Sequence, residues 1–153
     1  MTLLKYAALV AIVMSASPAL AGDTHRVGGP VLPDDMAAIG EAYRTAINSG
    51  GDMAGFFAED AVMLSPFGGQ LEGREAIVEF LSRVQTYAGD LQSEVTGFLD
   101  YGTTAVANGN WSWVVNGPNG EMPLGGQWLW LVERGTDGAV QIKRNIYNQS
   151  MSN

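Results

Sequence analysis

Residues Phe56–Phe80, FFAEDAVMLSPFGGQLEGREAIVEF, run a strand, a Pro/Gly turn and an amphipathic helix together without a spare residue. Ala61–Ser65 is a β-prone run ended by Pro66, and Gly68-Gly69 supplies the positive-φ freedom that a turn needs. From Ala76, the apolar residues Ala76, Ile77, Phe80, Leu81 and Val84 fall on one face of a helix with 3.6 residues per turn. A strand that leads directly into a helix points to a fold in which helices and a sheet pack on each other.

The flanking segments extend this reading. Asp34 is placed to cap a helix whose apolar residues Met36, Ile39, Tyr43, Ala46 and Ile47 share a face, with Gly50-Gly51 to end it. Asp52 is placed to cap a second, short helix carrying Met53, Phe56 and Phe57. The long helix is expected to run to about Tyr87 after a turn over Gly68–Gly73. Beyond it the chain reads as all-β, with strands near Leu91–Asp100, Thr103–Val115, Met122–Arg134 and Ala139–Gln149. Turns at Tyr101-Gly102, Asn116–Gly120 and Gly135–Gly138 join them.

Residues 1–21 have the pattern of a secretory signal peptide: Lys5 as a positive n-region, Tyr6–Met14 as an apolar h-region, and Ala19-Leu20-Ala21 as a cleavage site. The apolar run is too short to cross the roughly 30 Å of a bilayer core, so a membrane anchor is not expected. The reading is a periplasmic or secreted protein, with a flexible arm over residues 22–33 and one folded domain over residues 34–150. The chain has no cysteine, which excludes a disulfide framework, thiol catalysis and Cys-ligated zinc. Without Lys5, seven Lys and Arg stand against sixteen Asp and Glu, a net charge of −9. Phosphate backbones and anionic lipid surfaces are repelled by such a balance, so neither nucleic acid nor, after signal removal, a membrane is an expected partner. His25, the only histidine, falls in the arm, where a general base has no held geometry.

The element order and the residues Asp60, Pro66, Phe67, Gly73, Arg74, Glu75 and Ile77 resemble the nuclear transport factor 2-like superfamily, specifically its SnoaL-like and ketosteroid-isomerase-like members. That resemblance implies an α+β cone, a curved antiparallel sheet wrapped around three N-terminal helices and one internal pocket. It covers nearly all of residues 34–150. No cofactor and no metal are expected from the residues, because no Gly-rich phosphate loop stands at a strand–helix junction and the adjacent acids Asp34-Asp35 and Glu59-Asp60 diverge.

Alternation along the strands gives each tryptophan pair a common side, Trp111 with Trp113 and Trp128 with Trp130. Whether the two pairs share one face depends on the register of the Asn116–Gly120 hairpin, which the sequence leaves open by one residue; the resemblance implies that they meet inside the cone. An aromatic cavity with few polar groups suits a small apolar ligand. The expected ligand-binding set is Tyr43, Phe57, Ser65, Phe67, Trp111, Trp113, Trp128, Trp130, Asn145 and Tyr147. On the last strand the same phase brings Lys143, Asn145 and Tyr147 inward and sends Ile142, Arg144 and Ile146 outward.

Ketosteroid isomerase uses a carboxylate base, a tyrosine donor and a protonated acid in an apolar pocket. Matched by motif, the tyrosine falls at or within one position of Tyr43, the base on Ser65 and the second acid on Trp130, so both acids are missing and steroid isomerisation is not expected. The primary reading is therefore an exported protein that binds a small, largely apolar or aromatic molecule. One alternative is an isomerase, hydratase or cyclase with Tyr43 as donor and Lys143 or a pocket water as base. The other is a non-catalytic interaction module. Val106, Val114, Leu129, Leu131, Ile142 and Ile146 fall on the opposite phase, and an apolar outer face of that size leads to an expected homodimer.

Overall fold

The computed structural model describes residues 29–117 and 120–150. The signal peptide, the arm up to residue 28 with its His25, and the tip of the expected Asn116–Gly120 turn lie outside the described residues.

Helix α1 spans Asp34–Ser49 and buries Met36, Ile39, Tyr43 and Ile47, the expected face with Ala46 at its margin. Its N-cap is Pro33, not Asp34: the Pro33 carbonyl accepts from the amides of Met36 and Ala37 at 3.0 Å each. Asp34 and Asp35 occupy the first turn, where negative charge is favoured by the helix dipole. The helix ends on Gly50 in the left-handed conformation, φ 72°. Asp52 does accept from the Ala54 amide at 2.9 Å, yet the segment it caps is a single 3₁₀ turn, Ala54–Phe56. Among the described residues there are therefore two α-helices and a 3₁₀ turn where three helices were expected. Phe57 begins a strand.

That strand, β1, runs Phe57–Ser65, longer than the sequence suggested. The expected turn after it contains a further strand, β2, Gly69–Glu72, which folds back on β1 with Ser65 opposite Gly69. Helix α2 spans Arg74–Val84 and buries Ile77, Phe80, Leu81 and Val84. Strands β3 (Ala88–Asp100), β4 (Thr104–Gly117), β5 (Gly120–Arg134) and β6 (Val140–Tyr147) complete a six-stranded sheet in the order β2-β1-β6-β5-β4-β3. Its other neighbours pair antiparallel, but β1 lies parallel to β6, so the sheet is mixed where an antiparallel one was expected. No local signal announces such a pairing, because its partners are brought together only by the finished topology.

The curved sheet folds over the two helices, α2 against β1 and β2, α1 against β3. Phe57, Ile47, Met53, Met63, Ile77, Val132 and Ile142 are essentially sealed from solvent at the centre. Ile142 belongs to this core, which corrects its expected outward position. The cause is a β-bulge: Leu131 pairs with Arg144 and Val132 with Ile142, so β6 carries one extra residue, Lys143, and the alternation changes phase there. Asn145 and Tyr147, beyond the bulge, keep the inward phase.

Candidate functional site

Antiparallel pairing of β4 and β5 sets the register that the sequence left open. Trp111 stands opposite Gly126, Trp113 opposite Leu124, Trp128 opposite Gly109 and Trp130 opposite Ala107. All four indoles therefore share the concave face, each no more than 9 % exposed. Small partners make room for them: a β-carbon on Gly109 would come within 3.0 Å of the Trp128 ring and collide with the Glu94 carbonyl, and one on Gly126 would lie 2.9 Å from Trp111 Nε1 and collide with the Asn148 carbonyl. Gly109 and Gly126 are site residues that sequence reasoning missed. Their signal was present, as glycines inside strands commonly mark a close approach of backbone or ring.

Between this aromatic wall and α1 lies a cavity of about 280 Å³. Its lining includes seven of the ten residues expected to bind ligand: Tyr43, the four tryptophans, Asn145 and Tyr147. The other three stand elsewhere. Phe57 is sealed in the core behind Tyr43, ring centroids 6.2 Å apart. Phe67 is about half exposed, and reaches the site only through a tilted contact with Tyr147 at 6.4 Å. Ser65 is buried behind Tyr147. Residues not anticipated complete the wall, among them Met36 and Ile47 of α1, Leu91 and Val95 of β3, and Ala107 of β4.

The mouth opens where exposed Ala37 and Glu41 of α1 face exposed Ser93 of β3. Both ends of α1 are fastened on either side of it. Asn48 exchanges two hydrogen bonds with the Leu91 backbone, at 2.7 and 3.1 Å. At the other end Arg134 donates to Asp35 and, at 2.9 Å, to Asp100. Arg44 and Glu41 at the mouth form an ion pair with each other, with a contact of 2.6 Å.

The inner wall is aromatic and uncharged. Tyr43 packs edge-on against Trp130 at 4.9 Å, and Trp128 and Trp130 lie 5.0 Å apart. Trp111 Nε1 donates to the Asn148 carbonyl at 3.0 Å, Trp128 Nε1 to the Asn110 carbonyl at 3.1 Å, and Trp130 Nε1 to Asn145 Oδ1 at 3.2 Å. Trp113 Nε1 is buried without a partner among the described residues. Burial pushes the Tyr43 hydroxyl well above the usual tyrosine range, with Tyr147 adding to the shift and the Asn145 side chain opposing it. Tyr147 is pushed up to about 12, again chiefly by burial. Both phenols are therefore neutral donors at any ordinary pH, poorly suited to serve as bases.

Lys143 does not line this cavity. Displaced by the bulge, its ammonium lies 2.6 Å from Asp60 and 3.5 Å from Glu133. The hydrogen bond to Asp60 raises its pKa, which holds it as a cation and removes it as a candidate base for the pocket. Among the described residues, no three His, Asp or Glu side chains gather as a metal site requires.

A curved sheet closed over helices, with an aromatic cavity between α1 and the concave face, defines a cone-shaped domain of the nuclear transport factor 2-like kind. The sequence profile of the SnoaL-like domain matches residues 40–140. The chain belongs to the SnoaL-like domain family. Among curated proteins none matches it. Solved structures share the fold at low identity. A ketosteroid isomerase-like protein from Erwinia carotovora atroseptica superposes with a TM-score of 0.68 at 18% identity, covering 77% of this chain and 95% of its own. An uncharacterised protein with a cystatin-like fold from Caulobacter vibrioides gives 0.65 at 18% identity, over 77% and 89%. A protein from Novosphingobium aromaticivorans, provisionally described as a scytalone dehydratase, gives 0.64 at 18% identity, over 76% and 83%.

Proposed function

We propose that this protein is exported and binds a small, largely apolar or aromatic molecule inside the cone. The observation that carries the reading is the cavity of about 280 Å³ walled by four indoles and two neutral phenols. That volume stands at the lower edge of the range for ligand sites, about 300–1,000 Å³, and suits a body of two or three fused rings. Indoles and phenols bring N–H and O–H groups that an aliphatic wall would not have to satisfy. The interaction-module alternative requires a filled cone, and the open cavity speaks against it. Export is supported by the n-, h- and c-region pattern of residues 1–21.

An isomerase or dehydratase reading is favoured by one feature, the Tyr43 hydroxyl on the cavity wall, placed to donate to a substrate oxygen. The neighbours described as ketosteroid isomerase-like and as a scytalone dehydratase lend it fold-level analogy only. Among the described residues no carboxylate, histidine or lysine stands on the inner wall, so proton abstraction falls to a pocket water. Binding without turnover is the reading that the side chains support best.

The test is quenching of tryptophan fluorescence on titration with two- and three-ring aromatic compounds, alongside native mass spectrometry of protein purified from its own host. Saturable quenching by some of the panel, weakened in Trp130→Ala, is the expected result. A flat response to the whole panel, with no mass retained by the native protein, refutes the proposal.

A further inference from the structure

The Ser65–Tyr147 pair beside the cavity is wired to offer a hydrogen. Ser65, the last residue of β1, accepts through Oγ from the backbone amides of Phe67 at 3.1 Å and Gly68 at 3.2 Å. A hydroxyl has two acceptor sites and one hydrogen. With both sites filled, the Ser65 hydrogen is what remains for the Tyr147 oxygen, 2.8 Å away. Tyr147 is therefore the acceptor in that bond, and its own hydrogen has no protein acceptor among the described residues. Amides that polarise a serine, which in turn polarises a phenol, strengthen the final donor.

The second phenol, Tyr43, meets the Asn145 side chain, whose Oδ1 accepts from Trp130 Nε1 at 3.2 Å and whose influence opposes the rise in the Tyr43 pKa. Glu41, the carboxylate on the lining, stands at the mouth and is paired with Arg44, so it is not placed to receive a cation beside the phenols.

Resting on the binding role proposed above, we infer that the Ser65–Tyr147 pair sets the specificity of the site, selecting neutral ring compounds that carry an oxygen acceptor over the parent hydrocarbons and over amines. Tyr147 touches the ligand oxygen, and Ser65 is a positioning residue that turns the phenol hydrogen into the cavity. An ammonium group entering the same place meets the Tyr147 hydrogen and, among the described residues, no carboxylate on the inner wall, so the indole faces replace only part of its lost hydration.

Three tricyclic probes of one shape separate the cases: fluorene, 9-fluorenone and 9-aminofluorene. Wild-type protein is expected to bind fluorenone about two- to tenfold more tightly than fluorene, the worth of one neutral hydrogen bond, and aminofluorene most weakly. The carbonyl stretch of bound fluorenone moves to lower frequency. Tyr147→Phe brings fluorenone and fluorene to nearly equal affinity and removes the infrared shift. Ser65→Ala reduces the shift, and Ser65→Thr, which keeps the hydroxyl, restores it. Equal binding of fluorene and fluorenone by wild type with an unshifted stretch overturns this inference and leaves the cavity reading standing. So does a shift that survives Tyr147→Phe and vanishes in Tyr43→Phe. Binding of none of the three removes the cavity reading, and this inference with it.

Discussion

Trp113 and Trp130 are equally buried on one cavity wall and differ in the partner of the indole N–H, Trp130 having in addition the ring contacts to Tyr43 and Trp128. Each is 8% exposed, each lines the same cavity, and each loses the same atoms on substitution by phenylalanine. The indole of Trp130 donates to Asn145 Oδ1, whereas that of Trp113 has no partner among the described residues. Replacing either ring gives up on the order of 40 Å² of apolar burial, which costs about 1 kcal/mol at 25 cal/mol per Å². In Trp130→Phe the buried Asn145 oxygen loses its donor, a further cost of about 1–3 kcal/mol. In Trp113→Phe a buried, unpaired N–H is removed, and the same desolvation penalty of about 1–3 kcal/mol is relieved. Trp130→Phe is therefore expected to lose about 2–4 kcal/mol, and Trp113→Phe to be neutral or stabilising. In a domain of this size a gap of about 2 kcal/mol separates the melting temperatures by roughly 6 °C or more. Urea denaturation followed by far-UV circular dichroism, with equal m-values, measures the difference. Equal losses in the two variants, or a larger loss at Trp113, would show that ring burial alone governs this wall.

Features away from the cavity carry three more expected outcomes. The hydrogen bonds from Arg134 hold the Asp35 and Asp100 carboxyls below the usual carboxylate range. A depressed folded-state pKa contributes stability above the unfolded value and loses it as pH falls through the folded one. The urea midpoint should therefore drop as pH falls below about 4, and Arg134→Met should flatten that decline. On the outer face, Leu64, Ile146 and Leu129 stand in register across three neighbouring strands, each more than a third exposed, which motivates a homodimer through this surface. Light scattering should give twice the chain mass, and Ile146→Asp should halve it; a wild-type monomer at micromolar concentration rejects the dimer. Intact-mass analysis of the exported protein should place its first residue near Gly22, and recovery of the full chain in the cytosol would contradict the export reading.

Much of the cone was legible because its signals are local. The α1 face from Met36 to Ile47 and the α2 face from Ile77 to Val84 come from helical spacing, and the common side of each tryptophan pair comes from strand alternation. What escaped was set by pairing across the fold. The Gly117–Gly120 register, which puts both tryptophan pairs on one face, depends on a turn geometry that composition leaves open. Strand β2 is almost wholly exposed, so it carried no apolar pattern to find. Lys143 was misplaced because a bulge inserts one residue without any glycine or proline to mark it, and the same slip placed Ile142 on the wrong side. Phe57 sits in an apolar run that suits a helix as well as a strand, and only its pairing with Ile142 decides between them.

The parallel seam between β1 and β6 also orders events in time. Ser65 and Tyr147, which meet across it, are 82 positions apart. β6 is the last of the six strands to leave the ribosome, yet it takes an interior place in the sheet, between β1 and β5. Until it arrives, the β1–β2 hairpin and the β3–β4–β5 meander are separate half-sheets, each showing an open edge. Closure of so long a loop makes folding slow for a chain of this length. The cavity cannot exist before that closure, because β6 supplies its Asn145 and Tyr147. A nascent chain of this design stays open and vulnerable to aggregation, or available to a chaperone, until its final strand is in hand.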